Sequence, residues 1–312
     1  MSELERASET VVGPCLGVRA GEDVVIVVDR GTRAIGDALR DAAAALGAEP
    51  VMAVMEPRRV DGEEPPAAVA AALAAATVFI APTTRSLSHT RARKAASERG
   101  ARGATLPGVT EDMLARLMAA DFDLMGRRSR AVAALLTDAA GAHVTCPRGT
   151  DFRADLTGRE GIADDGDLRA PGAFGNLPCG EGFVSPLAGE GTIVTRSLAT
   201  VGLVDATVTL TVAGGRLADS TSEPFAALLD GAGADGRNLA ELGVGTNERA
   251  TLTGLILEDE KMLGTVHIAF GASAGIGGTV SVPVHLDVLI EDATLDVDGA
   301  RVLDGGRFVL EA

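Results

Sequence analysis

The chain has 312 residues, enough for two ordinary domains with separate cores, and its 46% hydrophobic and 23% charged content is globular rather than disordered. A formal charge of −16 excludes a general nucleic-acid binder, because phosphate affinity rests on clustered Lys and Arg. With no Trp and no Tyr, the core must be built from Ala, Val, Leu and Ile, and no tyrosine can serve as acid, base or oxyanion donor.

The N-terminus, Met-Ser-Glu-Leu-Glu-Arg, is acidic and lacks an apolar segment, so no secretory signal is expected. Residues 23–29 form a short β-branched run between turn residues and predict a buried strand. A helical pattern over 32–46, closed by Gly47, and a second strand over 49–54 complete a βαβ unit. A helix near 66–75 then leads to a third buried strand at 77–81. The Ala-rich run at 67–76 is too short and too weakly hydrophobic to span a bilayer. The arginine-rich stretch from Arg85 to Arg102 reads as a solvated helix face. Strands alternating with helices imply an α/β N-terminal domain, a parallel sheet covered on both sides.

Beyond residue 140 glycine becomes frequent and helical periods are scarce. Short β-branched segments at 192–195, 206–212, 264–270, 280–290 and 307–310, with one helix near 222–229, predict a mainly antiparallel β (α+β) domain. We therefore divide the chain into an α/β three-layer domain, 1–135, and a mainly β metal-binding domain, 136–312. Cys15, Cys146 and Cys179 are widely spaced and form no CxxC, which suits reduced thiols in a cytoplasmic protein.

Two familiar motifs carry little weight. Residues 231–236 match GxGxxG, but they follow a helix and sit in a loop, whereas a dinucleotide site needs a strand before and a helix after. The first strand ends at Asp29-Arg-Gly-Thr-Arg, without a phosphate-loop Lys-Ser/Thr, and no Gly-x-Ser-x-Gly occurs anywhere.

Two of the four histidines lie in the last third. His285 and Asp287 stand at i and i+2 on a predicted strand, so both can point at one atom. With His267 they supply two imidazoles and a carboxylate, a ligand set suited to zinc, cobalt or non-haem iron(II). Glu181 follows a Pro-containing turn and a glycine, and Glu241 precedes a Gly-rich turn. Alone, each reads as an exposed loop residue; beside the histidines, both become candidate ligands, enough for two divalent ions. The cluster Glu258-Asp259-Glu260-Lys261 reads as a solvated hairpin tip, and His143 falls in the linker without partners. His89 follows the third strand, where loops at the carboxyl ends of parallel strands bind ligands, so it is a candidate acid or base.

Asn176-Leu-Pro-Cys-Gly-Glu181, Glu241-Leu-Gly-Val-Gly-Thr-Asn247, Gly264-Thr-Val-His267-Ile-Ala-Phe-Gly271 and His285-Leu-Asp287 occur in that order. Together they resemble the aminopeptidase T (leucyl aminopeptidase) metallopeptidase family, well over the C-terminal domain and more loosely over the N-terminal one. The resemblance implies a homodimer with two divalent ions, commonly zinc or cobalt, held by Glu181, Glu241, His267, His285 and Asp287. That family also places a tyrosine shortly after the first ligand histidine, where this chain has Ala272-Ser-Ala-Gly275. A related branch, similar to the dihydroxypyridine ring-cleaving dioxygenases, holds one iron(II) with two histidines and an aspartate. His267, His285 and Asp287 satisfy that pattern too, with His89 as acid or base.

The leading expectation is a cytoplasmic metal-dependent hydrolase that releases N-terminal residues from small peptides through metal-activated water, with Glu181 as the favoured general base. The alternative is a non-haem iron(II) dioxygenase that opens a hydroxylated aromatic or pyridine ring. A third is a metal-stabilised binding protein without turnover. In each case the partner is a small molecule or peptide, not nucleic acid or a membrane.

Overall fold

The computed structural model describes residues 1–311, which form two compact units. The first comprises residues 1–120 and 166–179; the second comprises 121–165 and the chain from 180 onward.

The first unit runs α1 (Glu3–Thr10), β1 (Asp23–Val28), α2 (Arg33–Ala45), β2 (Glu49–Val54), α3 (Ala67–Ala75), β3 (Val78–Ala81), α4 (Arg91–Glu98), β4 (Arg102–Thr105) and α5 (Glu111–Leu117). The chain then enters the second unit for α6 (Phe122–Leu136), β5 (Gly141–Thr145), β6 (Asp151–Asp155) and β7 (Ile162–Asp164). It rejoins the first for β8 (Phe174–Asn176). The five strands form a parallel sheet of order β2-β1-β3-β4-β8. β1 is buried from Val24 to Val28, as a central parallel strand covered on both faces should be. α2 buries Ile35, Leu39 and Ala43, one stripe at helical spacing. The elements expected over 23–81 are present, with Gly47 in the left-handed region after α2 (φ +79).

The arginine-rich stretch is only partly a solvated face. Arg91, Lys94 and Arg99 are exposed. Arg93, in contrast, lies 3.8 Å from the centre of the Phe174 ring. Arg102 is buried and donates to the Leu16 and Gly17 carbonyls and to Glu22. Among the described residues, no helix is long and apolar enough to cross a membrane.

The second unit continues with β9 (Glu181–Val184), β10 (Ala188–Leu198), β11 (Gly202–Ala213), β12 (Arg216–Ser220), α7 (Glu223–Gly231), β13 (Leu239–Gly245), α8 (Ile256–Asp259), β14 (Val266–Gly271), β15 (His285–Ile290), β16 (Thr294–Val297), β17 (Ala300–Asp304) and β18 (Arg307–Phe308). Its large antiparallel sheet has the order β18-β17-β16-β5-β6-β10-β15-β14-β13-β9-β7, with β11 and β12 branching from β10. β6 alternates exposed and buried residues, one face inward. β13 and β14 are buried throughout, because both of their faces are in use.

The expected boundary at 135 falls at the end of α6, which the fold groups with the β unit. Val132 and Leu136 of that helix join the β-domain core, and Ser129 Oγ lies 2.8 Å from Thr246 Oγ1. His143 is not a linker residue: it lies on β5, with Nε2 2.7 Å from Asp151 Oδ1.

Candidate metal centre

The register of β15, β14, β13, β9 and β7 builds the site. Residues directly opposite one another in an antiparallel pair share a face. Asp287 is opposite Ala269, and Ala269 is opposite Glu241. His285 is opposite Gly271, and His267 is opposite Gly243. Glu181 lies between Gly245 on one side and Asp164 on the other. One face of four neighbouring strands, β15, β14, β13 and β9, thus carries every expected ligand, separated by glycine and alanine that leave room for longer side chains to converge. The alternate residues Leu242, Val244, Val266, Ile268, Phe270, Leu286 and Val288 face the other way into the hydrophobic core.

His267 Nε2 is 3.2 Å from Glu181 Oε2 and 3.2 Å from Glu241 Oε1. His285 Nε2 is 3.3 Å from Glu241 Oε2 and 3.7 Å from Asp287 Oδ1. The five residues form two groups of potential ligands, Glu181-Glu241-His267 and Glu241-His285-Asp287, joined by Glu241. All are buried except His285, which is half-buried. Its Nδ1 lies 2.8 Å from the Ala272 carbonyl, an acceptor only, so Nδ1 carries the proton and Nε2 is the nitrogen turned to the carboxylates. Gly180, at φ +127, delivers Glu181 to β9, where a Cβ would meet Asn247 Cβ at 2.7 Å.

The electrostatics are those of a cation site. Burial opposes charge on His267, yet the hydrogen bond to Glu241 and the charges of Glu181 and Asp287 push it up to about 9. Burial likewise works against His285, but Asp287 and Glu241 raise it well above the ordinary histidine value. Burial would raise the Glu241 carboxyl, but hydrogen bonds from both histidines outweigh it and hold it well below the usual carboxylate range.

A divalent ion suits these residues on observations independent of any relative. Glu181 Oε2 is buried beside His267 without a hydrogen-bond partner, a costly arrangement that a cation would relieve. Mixed imidazole and carboxylate donors match zinc, cobalt and iron(II) rather than calcium or magnesium.

Lys261 was missed in the sequence, and the expected hairpin tip does not exist. Glu258, Asp259, Glu260 and Lys261 are all buried, in and just after α8. Asp259 accepts from Ser197, Thr253 and Gly254 and anchors the segment. Lys261 Nζ lies 2.5 Å from Glu181 Oε1 and 2.9 Å from Glu260 Oε1. The signal available was the setting: the charged run is bracketed by Leu255-Ile-Leu257 and Met262-Leu263, which an exposed tip does not need. His89 belongs to the first unit and is exposed in the turn between β3 and α4.

A family model described as NicX: 2,5-dihydroxypyridine 5,6-dioxygenase matches residues 4–310. Among solved structures, the 2,5-dihydroxypyridine dioxygenase from Pseudomonas putida KT2440 is similar, with a TM-score of 0.85 and 20% identity, covering 100% of this chain and 99% of that one. Wild-type AmpT from Thermus thermophilus is similar at a TM-score of 0.70 and 21% identity, covering 98% of this chain and 99% of that one. At those identities the two structures show a shared fold. No curated protein matches the chain.

Proposed function

The chain belongs to the 2,5-dihydroxypyridine 5,6-dioxygenase family, and from that premise we propose that it is a metal-dependent dioxygenase that opens the ring of a hydroxylated pyridine or closely related aromatic. The observation that carries this reading is the convergence of Glu241, His267, His285 and Asp287 on one buried sheet face inside the matched region. The peptide hydrolase expected first has less behind it: AmpT shares the fold at 21% identity, and the chain has no tyrosine.

An iron(II) ion held by His267, His285 and Asp287 would supply the redox chemistry needed to bring dioxygen to a hydroxylated ring. The protein's own part is to hold and orient. Asp287 and Glu241 give the centre its negative charge, and the Ala272 carbonyl sets the His285 ring so that Nε2 faces it. Glu181 gives Oε1 to Lys261 and turns Oε2 toward His267 Nε2, so its part is to orient that ring. His89 is the proposed acid or base. The homodimer, the cytoplasmic location and the identity of the ion as iron(II) belong to the same proposal.

One observation favours the hydrolase as a second reading: two ligand groups sharing Glu241 are the pattern a two-ion centre would use. Anaerobic reconstitution with iron(II), zinc or cobalt separates the two. Oxygen uptake with hydroxylated pyridines by the iron-loaded protein alone is the expected result. Dipeptide cleavage by the zinc or cobalt form, with no oxygen uptake by the iron form, would reverse the assignment.

A further inference from the structure

Resting on the metal-centre reading above, we propose that the Lys261 ammonium is a built-in cation that occupies the Glu181 side of the centre and limits it to one divalent ion per chain. Lys261 is 1% exposed, and an ammonium so deeply buried must be compensated by opposite charge. Its Nζ lies 2.5 Å from Glu181 Oε1, 2.9 Å from Glu260 Oε1 and 3.6 Å from Asp164 Oδ2. Three donors thus face three carboxylates, one each from β9, the residue after α8, and β7. Such an all-oxygen cage is of the kind that binds a hard metal ion, and here a side chain fills it.

The arrangement divides Glu181 between two duties. Oε1 goes to Lys261, while Oε2 is left beside His267 Nε2 at 3.2 Å without a hydrogen bond. A second divalent ion in the Glu181-Glu241-His267 group would share Glu181 with the ammonium, in a buried region where like charges repel strongly. Lys261 is therefore a positioning residue: it presents one oxygen of Glu181 and supplies the charge that a second ion would otherwise bring. Without it, Glu181, Glu260 and Asp164 would face one another uncompensated, and a divalent cation is the natural replacement.

The test titrates metal-free, full-length protein with manganese(II), counting bound ions by elemental analysis and following unbound ion by its six-line electron paramagnetic resonance signal. Wild-type protein is expected to retain one ion per chain, with the second equivalent appearing as unbound ion. Lys261→Met is expected to retain two, and Lys261→Arg, which keeps the charge, one. Two ions in the wild type, or a single ion of unchanged affinity in Lys261→Met, would overturn the proposal and leave the metal centre standing. No bound ion in any of the proteins, with cobalt(II) counted by elemental analysis in the same way, would overturn the metal centre and this proposal with it. If Lys261→Met does not fold, Lys261→Gln is judged by the same count, and the wild-type titration remains decisive by itself against a two-ion result.

Discussion

Gly243 sits directly across from His267 in the β13–β14 pairing, and a Cβ at position 243 would come 2.0 Å from His267 Nε2. Glycine is demanded here by the close approach of a ring, which lies over the neighbouring strand to reach Glu241. Gly243→Ala is expected to leave the sheet formed but move the imidazole, lowering divalent-metal affinity about 10–100-fold, the usual cost of disturbing what orients a ligand. Calorimetric titration alongside circular dichroism checks this. Unchanged affinity in a folded variant would remove His267 from the ligand set.

Metal uptake should release protons. His267, ordinarily near 6.5, is pushed up to about 9 in the metal-free protein by Glu241 and its acidic neighbours against the cost of burial, and His285 is raised as well. Both rings are therefore protonated at neutral pH, and a cation must displace those protons. Affinity should rise as pH increases from neutrality toward 9, where His267 gives up its proton. The metal-free protein should do the opposite: stability from the raised His267 is complete below 6.5 and is lost as pH rises through about 9. Calorimetry in buffers of different ionisation enthalpy counts the protons; a count of zero at pH 7 would contradict the assignment.

Part of this candidate centre was legible in the sequence because His285-x-Asp287 lies on a predicted strand, where a period of two maps directly to one face. Glu181 and Glu241 read as loop residues beside turns, whereas both lie on buried strands, β9 and β13, whose glycines pack closely against neighbouring elements rather than turning the chain. The parallel sheet was legible for a related reason, since β1 and β3 are short apolar runs between turns. What stayed hidden depends on tertiary contacts. Nothing local to Glu258-Asp259-Glu260-Lys261 says that carboxylates at 164 and 181, far along the chain, will neutralise the lysine. Likewise, the grouping of α6 with the β unit follows from where Val132 and Leu136 pack, not from the helical pattern itself.

Arg102 ties the first unit together. Its guanidinium pairs with Glu22 at 2.7 Å and caps the Leu16 and Gly17 carbonyls, with 9% of the side chain exposed. Arg102→Met would strand the carboxylate and both carbonyls, so we expect a loss of about 3–5 kcal/mol, the range for breaking a buried pair from one side. The hydrogen bond from Arg102 also holds the Glu22 carboxyl below its ordinary 4.5. That part of the stability is present above 4.5 and is lost as pH falls below it, so the wild type should be acid-sensitive there and Arg102→Met less so. Denaturant titrations at neutral and acidic pH measure both. A difference between the two proteins that does not shrink with acid would exclude the pair as its source.

His89 is the one proposed functional residue that can be removed without touching the ligand set. It is exposed, and neither ligand group includes it. The helix that follows is capped by Thr90, whose Oγ1 accepts from the Arg93 N–H, while Leu87 supplies the buried contact just before the turn. His89→Ala should therefore leave the protein folded, since the cap and the core contact beside it belong to Thr90 and Leu87. An acid or base role predicts a separate signature: metal content intact, turnover down about 10²–10⁴-fold, and one limb of the pH–rate profile gone. His89→Gln, which keeps a hydrogen-bonding side chain but cannot titrate, should show the same flattened profile. Wild-type turnover and an unaltered profile in both variants would assign the proton transfer to another group.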